Sequence, residues 1–287
     1  MHALLPVLSL LYAATVWGTV WYPLRLLADA GIAGPWQAAV SYLAAALALL
    51  PFYWPRRREL ARRAASLMPL AVTAGWANVA FIVAMLEGTV VRVLLLFYLS
   101  PVWSVLLAHW LLGERLTRRT WAALGGALGG AALMLYKPGA GLPLPTDLAD
   151  WLGLSAGLAF AVSNVETRRL QDVGLQAKTL AAWAGVVVVA GAWVGAVALP
   201  LPSAGALPWL GTVALGLTAF FSATLAVQYG LTRLPVQRSA VILLVEIVVG
   251  AVTAAWLAGE YTAPREWIGG LLILGAGLAV ARAEEGK

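Results

Sequence analysis

The sequence contains no cysteine and only two histidines, His2 and His109, among its 287 residues. Disulfide bonds and thiolate metal sites are therefore excluded. The chain also lacks a Walker-type phosphate loop, an HExxH pair and an EF-hand spacing, so it has no motif for using ATP and we expect no metal and no cofactor. Two histidines are a weak basis for a Ser/His/Asp catalytic set, and we interpret His109 as a packed or interfacial side chain.

Charged side chains are scarce as well. They make up 11% of the chain, against about 25% in an ordinary soluble domain, while 62% of the residues are hydrophobic. This leaves too little polar surface to cover a water-soluble globule, so the bilayer is the expected solvent. Backbone polar groups must then be satisfied internally, by helices or by a closed barrel. The apolar runs are long and do not alternate strictly, which favours helices.

The net charge of +6 is positive, and a basic chain raises the question of nucleic acid. The basic residues, however, lie in short clusters between apolar runs, and the sequence has no nucleic-acid-binding motif. We therefore expect membrane lipid and a small-molecule substrate as partners, and no nucleic acid.

Ten apolar runs approach the roughly 20 residues that a helix needs to cross the hydrocarbon core. The first run is too long for a signal-peptide core and has no basic region before it, so we interpret it as a retained membrane helix. The loops between the runs are short, and none is long enough for a separate soluble domain. The predicted spans are residues 3–27, 35–53, 67–86, 90–112, 120–136, 151–169, 179–199, 207–231, 239–258 and 267–281.

The distribution of Lys and Arg orients these spans. If the N-terminus is cytoplasmic, fifteen of the 19 basic residues fall on the cytoplasmic side, and four fall on the opposite side. The positive-inside rule therefore predicts a multi-pass membrane protein with both termini in the cytoplasm.

A short motif occurs twice. Gly113 to Trp121 reads GERLTRRTW and Gly259 to Trp267 reads GEYTAPREW, and both fit G-E-x-x-x-x-R-x-W. A shift of 146 residues aligns these two segments without gaps, and ten of 36 positions from Tyr98 to Leu133 are then identical. The repeat predicts two halves, residues 1–140 and 147–287. Within each motif we expect the Glu and Arg to pair with each other or with nearby helix ends, and the Trp to anchor the next span at the interface.

The shift covers five predicted spans, and five is an odd number. The two copies must therefore cross the membrane in opposite directions. Inverted repeats of this kind are typical of secondary transporters, in which two similar halves alternate between inward-open and outward-open states. The predicted fold class is an all-α integral membrane protein of ten transmembrane helices, arranged as two five-helix inverted repeats.

Several motifs occur in an order typical of one known family. They are Trp17-Gly18 near the end of the first span, Ser100-Pro101-Val102 in the fourth, and Gly113–Thr117 after it. With the five-plus-five arrangement, the chain resembles the EamA-type exporters of the drug/metabolite transporter superfamily. Within that family it is most similar to bacterial inner-membrane exporters of aromatic and other neutral amino acids.

The resemblance implies alternating access and a substrate that binds between the halves. One motif departs from the family pattern. The ninth span often carries Glu-Pro-Val, whereas this chain has Glu246-Ile247-Val248, so a kink there cannot be carried over from the family.

Glu246 is the clearest acid inside a predicted span, and an ionisable group inside the bilayer indicates function by default. It lies on a small and polar stripe of the ninth span with Gly250 and Thr253. The side chain could bind a substrate ammonium group, carry a coupling proton, or pair with a buried hydrogen-bond donor.

Amides and aromatic residues complete the predicted substrate site. Asn78 and Asn164 could orient an amino-acid carboxylate or hold two helices together. Aromatic walls suit planar or apolar substrates, although each such residue could instead face lipid or pack in the core. The aromatic candidates are Trp17, Trp21, Trp76 and Tyr98.

Glycines recur in the fifth and tenth spans, for example at Gly129 and Gly275, and we interpret them as scaffold contacts or as contacts of a homodimer.

Three other functions stay open at this point. The same resemblance allows a broad exporter of drugs or toxic cations, or of other metabolites. An integral membrane enzyme would need a reactive cluster near one interface, and the sequence offers none. A channel or structural protein fits the inverted repeat less well.

Overall fold

The computed structural model describes residues 4–54, 57–112, 118–136, 144–234 and 242–284, and all regular secondary structure in these ranges is helical. We label the helices α1 to α13 in chain order. They are α1 (Leu4–Thr19), α2 (Trp21–Asp29), α3 (Gly34–Tyr53), α4 (Arg57–Glu87), α5 (Val90–Phe97), α6 (Ser100–Leu112), α7 (Arg118–Leu135), α8 (Leu148–Arg169), α9 (Leu175–Ala196), α10 (Ala206–Leu215), α11 (Phe221–Leu231), α12 (Val245–Ala258) and α13 (Pro264–Glu284).

Six helical stretches of the described chain are long and apolar enough to cross a membrane. They are Leu4–Asp29, Gly34–Tyr53, Leu60–Glu87, Leu148–Arg169, Leu175–Ala196 and Ala206–Leu231. Shorter apolar helices occupy Val90–Ser104, Trp121–Leu135 and Val245–Ala258, where the fourth, fifth and ninth spans are predicted. The all-helical membrane class is confirmed, while the count of ten spans and the side of the termini stay predictions.

Two predicted spans are interrupted at a proline. α1 gives way to α2 two residues before Pro23, and α5 ends at Phe97, four residues before Pro101. Proline lacks an N–H, so the carbonyl four residues earlier loses its helical partner and the helix can break there.

The ninth span is interrupted at the equivalent place without a proline. Leu244, which the 146-residue shift aligns with Tyr98, forms a turn immediately before α12 begins at Val245. Because the ninth span lacks the proline, its sequence did not predict whether the helix is interrupted. The structure shows that it is.

Two core clusters organise the bundle, and α5 lies between them. Val90, Val93 and Leu94 of α5 belong to the larger cluster, which joins α2, α3, α4, α8 and α9. Val91 and Leu95 belong to the smaller cluster, which joins α6, α7, α12 and α13. Every residue from Val90 to Leu96 is buried, so this short helix is enclosed on all sides.

Glycines allow the closest helix contacts. Gly130 of α7 and Gly269 of α13 each lie against the other's carbonyl oxygen, and Gly185 of α9 lies against the Ala71 carbonyl of α4. These contacts agree with the scaffold interpretation of the glycines. A methyl group built at Gly129 or Gly275 would meet nothing within 4 Å, and the homodimer stays a prediction.

The second copy of the repeated motif forms the turn between α12 and α13. Gly259 ends α12 in the left-handed conformation, with φ of 62°. The Glu260 carboxylate accepts hydrogen bonds from Arg25 at 2.6 Å and from the Val90 N–H at 2.8 Å, and not from Arg265.

The predicted pairing of Glu with Arg inside the motif is therefore wrong for this copy, whereas the predicted contact with a nearby helix end is present. The turn directs Glu260 back toward α2 and α5, while Arg265 already belongs to the first turn of α13. In the first copy, residues 113–117 lie outside the described part of the chain.

Candidate functional site

The interrupted helices bring Tyr98 and Glu246 together. Tyr98 follows the last residue of α5, and Glu246 is the second residue of α12. The Tyr98 hydroxyl donates to Glu246 Oε2 at 2.8 Å and lies 3.4 Å from the Leu243 carbonyl oxygen. A phenol from the first half of the chain thus meets a carboxylate from the second half.

Glu246 is a half-buried acid in apolar surroundings. Gly18 of α1 packs against its backbone, so closely that a Cβ at Gly18 would lie 2.6 Å from the Glu246 carbonyl oxygen. Within the described residues, no Lys, Arg or His forms an ion pair with its side chain. A carboxylate without a cationic partner can accept a positively charged group from a ligand, and such residues inside membranes mark substrate or proton pathways.

Three phenylalanines extend from this pair. The ring of Phe97 lies 4.9 Å from Phe81 of α4 and 5.2 Å from Phe160 of α8, measured between ring centroids. Phe97 also packs edge-on against Tyr98. Phe160 is exposed over 38% of its surface although it touches Phe97. The three rings therefore form an aromatic wall that is connected to Glu246 through the contact of Phe97 with Tyr98, and Phe160 is its exposed member.

Asn164 lies one helical turn beyond Phe160 on the same face of α8. Gly157, one turn before Phe160, packs against the Phe97 carbonyl. This face of α8 thus runs from a tight contact with α5 to an exposed amide at Asn164. The Asn164 amide is therefore accessible to a polar group.

A second aromatic group lies on the other side of α1. Trp17, Phe220 and Tyr42 stack in sequence, with centroid distances of 5.6 and 4.7 Å. The Tyr42 hydroxyl donates to Asn78 Oδ1 at 2.5 Å, and the Asn78 amide donates to the Ala74 carbonyl at 2.8 Å. Phe220 and Tyr42 therefore connect Trp17 to Asn78 through ring stacking and a hydrogen bond, and the sequence singled out neither of them.

The remaining two predicted aromatic residues lie elsewhere. Trp21 is fully buried, and its indole N–H donates to Thr253 at 3.1 Å. Trp76 stacks on Trp193 at the perimeter, and its indole N–H donates to Ser155 at 3.2 Å. Neither side chain contacts the Tyr98–Glu246 pair in this conformation.

Phe97, Phe160, Phe220 and Tyr42 were missed by sequence reasoning. Phe220 reaches the stack because a π-helical turn, Gly216–Phe220, separates α10 from α11. π-turns often occur at functional sites, yet their sequence carries no recognisable signal. For Phe160 a signal did exist, because it precedes the candidate Asn164 by four residues and must share its helix face.

The chain is similar to known proteins over nearly its whole length. The sequence profile of the EamA-like transporter family matches residues 4–136 and again residues 147–282. The chain belongs to the EamA-like transporter family. The predicted resemblance is thereby confirmed, and the protein is a multi-pass membrane transporter.

Individual relatives of this EamA-like transporter span nearly the whole chain. A probable terminal-alkyne amino-acid exporter of Streptantibioticus cattleyicolor is 28% identical over an alignment of 291 residues, covering 97% of this chain and 94% of the relative. An uncharacterized transporter of Archaeoglobus fulgidus is 28% identical over 242 residues, 82% of each protein. One crystal structure matches 98% of this chain and 99% of its own with a TM-score of 0.61 at 18% identity, a likeness of fold.

Proposed function

We propose that this EamA-like transporter is a secondary transporter that exports small metabolites, with amino acids, including aromatic ones, as the substrate class. The observation that carries the proposal is the Tyr98–Glu246 contact, which joins the two halves where their helices are interrupted. A relative named as a probable amino-acid exporter supports the substrate class. Export across the bacterial inner membrane is what the resemblance to EamA-type exporters implies, and the relative named as an exporter supports that direction.

The chemistry near Glu246 fits an amino acid group by group. The carboxylate suits an ammonium group, because a charge-assisted hydrogen bond is roughly twice as strong as a neutral one. The rings of Phe97 and Phe160 suit an apolar or aromatic side chain. The exposed amide of Asn164 offers N–H donors to a substrate carboxylate. In this assignment Trp17 and Asn78 shape the adjacent wall, and Trp21 and Trp76 support the helices.

Two similar halves of opposite orientation can exchange conformations and so provide alternating access, and the proposed architecture is ten spans in two inverted repeats, residues 1–140 and 147–287. Two separate matches to one family profile support it. The helix contacts support it as well, because they occur in pairs that a two-fold exchange of the halves would interchange. α1 packs on α11 as α8 packs on α4, and α1 packs on α12 as α8 packs on α5 and α6.

The orientation can be tested with single cysteines, since the chain has none of its own. Ser203→Cys lies on a predicted outer loop and Gln171→Cys on a predicted inner loop. In intact cells, a membrane-impermeant maleimide should label the first variant and spare the second until the membrane is permeabilised. The reverse pattern would contradict the predicted orientation.

The transport proposal is tested with the purified protein in liposomes. Labelled neutral amino acids should cross the membrane without ATP, faster for aromatic than for small side chains, with and without an imposed proton gradient. Empty liposomes serve as the control. Dependence on ATP, or no flux over a broad panel of metabolites, would refute the proposal.

A second candidate function is export of lipophilic drugs or toxic cations. It is favoured by the same acid and aromatic wall, because a cation without a carboxylate would be held by Glu246 and by the ring faces of Phe97 and Phe160. Including a lipophilic cation in the substrate panel separates the two. If the cation is transported and neutral amino acids neither cross nor compete, the second function replaces the first.

A further inference from the structure

We propose that a partly buried ion pair, Arg25–Glu260, and a buried ion pair, Arg92–Asp150, form a lock that holds one end of the transporter closed. We call these four residues the lock. The inference rests on the proposed alternating-access function and adds the residues that control it. It also gives a role to Glu260, the acid of the repeated motif.

The first ion pair fastens the loop between α12 and α13 to the first half of the chain. Arg25 of α2 reaches Glu260 at 2.6 Å, and its other nitrogens donate to the Gly88 carbonyl at 2.6 Å and the Met85 carbonyl at 3.2 Å. The second oxygen of Glu260 accepts the Val90 N–H. Arg25 and Glu260 therefore bind the backbone on both sides of the turn between α4 and α5. Arg25 binds the carbonyls of Met85 and Gly88, and Glu260 binds the N–H of Val90.

The second ion pair holds the first turn of α5. Arg92 binds Asp150 of α8 with two nearly parallel hydrogen bonds of 2.5 and 2.7 Å. A third nitrogen donates to the Met134 carbonyl of α7 at 3.0 Å and lies 3.4 Å from Glu266 of α13. The Arg92 and Asp150 side chains are 10% and 2% exposed, so little water competes for these bonds.

Both ion pairs connect residues of the first half, 1–140, to residues of the second half, 147–287. At the opposite end of the described bundle, the halves are joined by Arg63 and Asp172, whose side chains are 46% and 55% exposed. Exposed ion pairs contribute little, because water and salt screen them. The two ends thus differ: shielded ion pairs join the halves at one end, and an exposed ion pair joins them at the other.

The lock is connected mechanically to the candidate substrate site through α5. This helix has only eight residues and is buried on all sides. Its first residues are held by the lock, and Tyr98, at its end, donates to Glu246. A substrate that binds at Glu246 and displaces the Tyr98 hydroxyl shifts the end of α5, and the enclosed helix transmits that shift to the lock.

Glu260→Gln should therefore release this end. The amide oxygen can still accept the Val90 N–H, but the charge that holds Arg25 is gone. We place single cysteines at Ala84, a fully buried position one turn before Gly88, and at Asn164, an exposed position toward the opposite end of α8. In full-length protein in liposomes, Glu260→Gln should raise the maleimide labelling rate of Ala84→Cys about tenfold and lower that of Asn164→Cys.

The matched control is Asp172→Asn, which breaks the exposed ion pair across the same halves. It should leave both labelling rates unchanged. Two results for Glu260→Gln would overturn the lock. Faster labelling at both reporter positions with a lowered Tm would mean that Glu260 only stabilises the fold. Unchanged labelling rates would mean that Glu260 does not hold this end closed. These rates do not depend on the substrate panel, so failure of transport and failure of the lock are distinguishable.

A covalent version tests the same proposal without relying on a destabilised variant. In Arg25→Cys combined with Glu260→Cys, a bis-methanethiosulfonate reagent, which forms a disulfide with each cysteine and releases sulfinate, should stop substrate flux, and reduction of these disulfides should restore it. The yield of the cross-link is read from a gel. Continued flux through fully cross-linked protein would show that this end need not open, and the lock would be wrong.

Discussion

The two halves of the chain have the same helix interruption but place different side chains around it. At three matched positions the first half has a glycine, a tyrosine and a serine, and the second half has an asparagine, a leucine and a glutamate. The 146-residue shift pairs these positions as Gly18 with Asn164, Tyr98 with Leu244, and Ser100 with Glu246.

This difference shows that the two repeats share the helix interruption but not the side chains of the site. The turn at Tyr98 and the turn at Leu244 occur in both halves, so the scaffold is shared. The acid occurs once, at Glu246, and the tyrosine that binds it comes from the other half. A ligand between the halves is therefore held in one orientation, because the two walls are chemically unlike.

The largest effect should come from removing the single acid. Glu246→Gln keeps the size of the side chain and an acceptor for Tyr98 but cannot bind an ammonium group by charge. A hydrogen bond to a charged group contributes about 1.5–3 kcal/mol, so we expect flux of amino acids to fall about ten- to a hundredfold with an unchanged Tm. Flux in liposomes measures it, and wild-type flux would remove Glu246 from the mechanism.

Moving the acid to the matching position sharpens the comparison. Ser100 is buried, so a carboxylate there is desolvated and has no ligand to meet. We expect Ser100→Glu combined with Glu246→Ser to transport no better than Glu246→Ser alone. Recovery of flux in the double variant would mean that either half can supply the acid.

A smaller effect should follow from filling the contact at Gly18. A methyl group there would lie 2.6 Å from the Glu246 carbonyl oxygen and 2.9 Å from Val249 Cβ, so α1 must move away from α12. Overpacking of this kind costs about 1–3 kcal/mol. Gly18→Ala should lower the Tm, whereas Asn164→Ala at the exposed counterpart should leave it unchanged. Equal Tm values would contradict the asymmetry.

Removal of the phenol should matter less than removal of the acid. Tyr98→Phe keeps the ring but loses the hydrogen bond that orients Glu246, a contribution of about 1 kcal/mol. We expect a loss of about fivefold in flux, readable as a change in KM rather than in Tm. A loss as large as that of Glu246→Gln would show that Tyr98 has more than an orienting role.

The smallest effect is expected at Trp76. Its ring stacks on Trp193 at the perimeter and does not contact the Tyr98–Glu246 pair. Trp76→Phe keeps a ring that can stack on Trp193 and changes no group of the Tyr98–Glu246 pair, so flux should stay within about twofold of wild type. A selective loss of aromatic substrates in this variant would bring Trp76 back into the binding site.

Composition and periodicity predicted the membrane class, and the ordered motifs predicted the family, because both depend on long stretches of chain. Glu246 was found from its rarity alone, since few acids lie inside an apolar span. Asn164 was found as a polar residue, but its exposure depends on how the other helices pack around α8. That packing is a tertiary property, and no local pattern encodes it.

Sequence reasoning missed contacts that join distant segments. Arg25 and Glu260 are 235 residues apart, and their pairing depends on the left-handed turn at Gly259 and on the position of α2. Phe220 reaches Trp17 and Tyr42 only through the π-turn, where one wide turn changes the direction of every following side chain. Propensity and spacing describe neighbours within a helix, and these contacts lie between helices.

The lone acid has an electrical consequence. The charges of Arg25 and Glu260 cancel, as do those of Arg92 and Asp150, so breaking either pair moves little net charge. An ionised Glu246 without a ligand, however, carries its charge through any part of the membrane field that the site crosses. A full crossing corresponds to about 2.3 kcal/mol per 100 mV. A zwitterionic amino acid brings an ammonium group and a carboxylate, so it leaves this net charge unchanged, whereas a cation without a carboxylate neutralises it. The membrane potential thus acts alike on the empty carrier and on one loaded with an amino acid, and spares only a carrier loaded with such a cation.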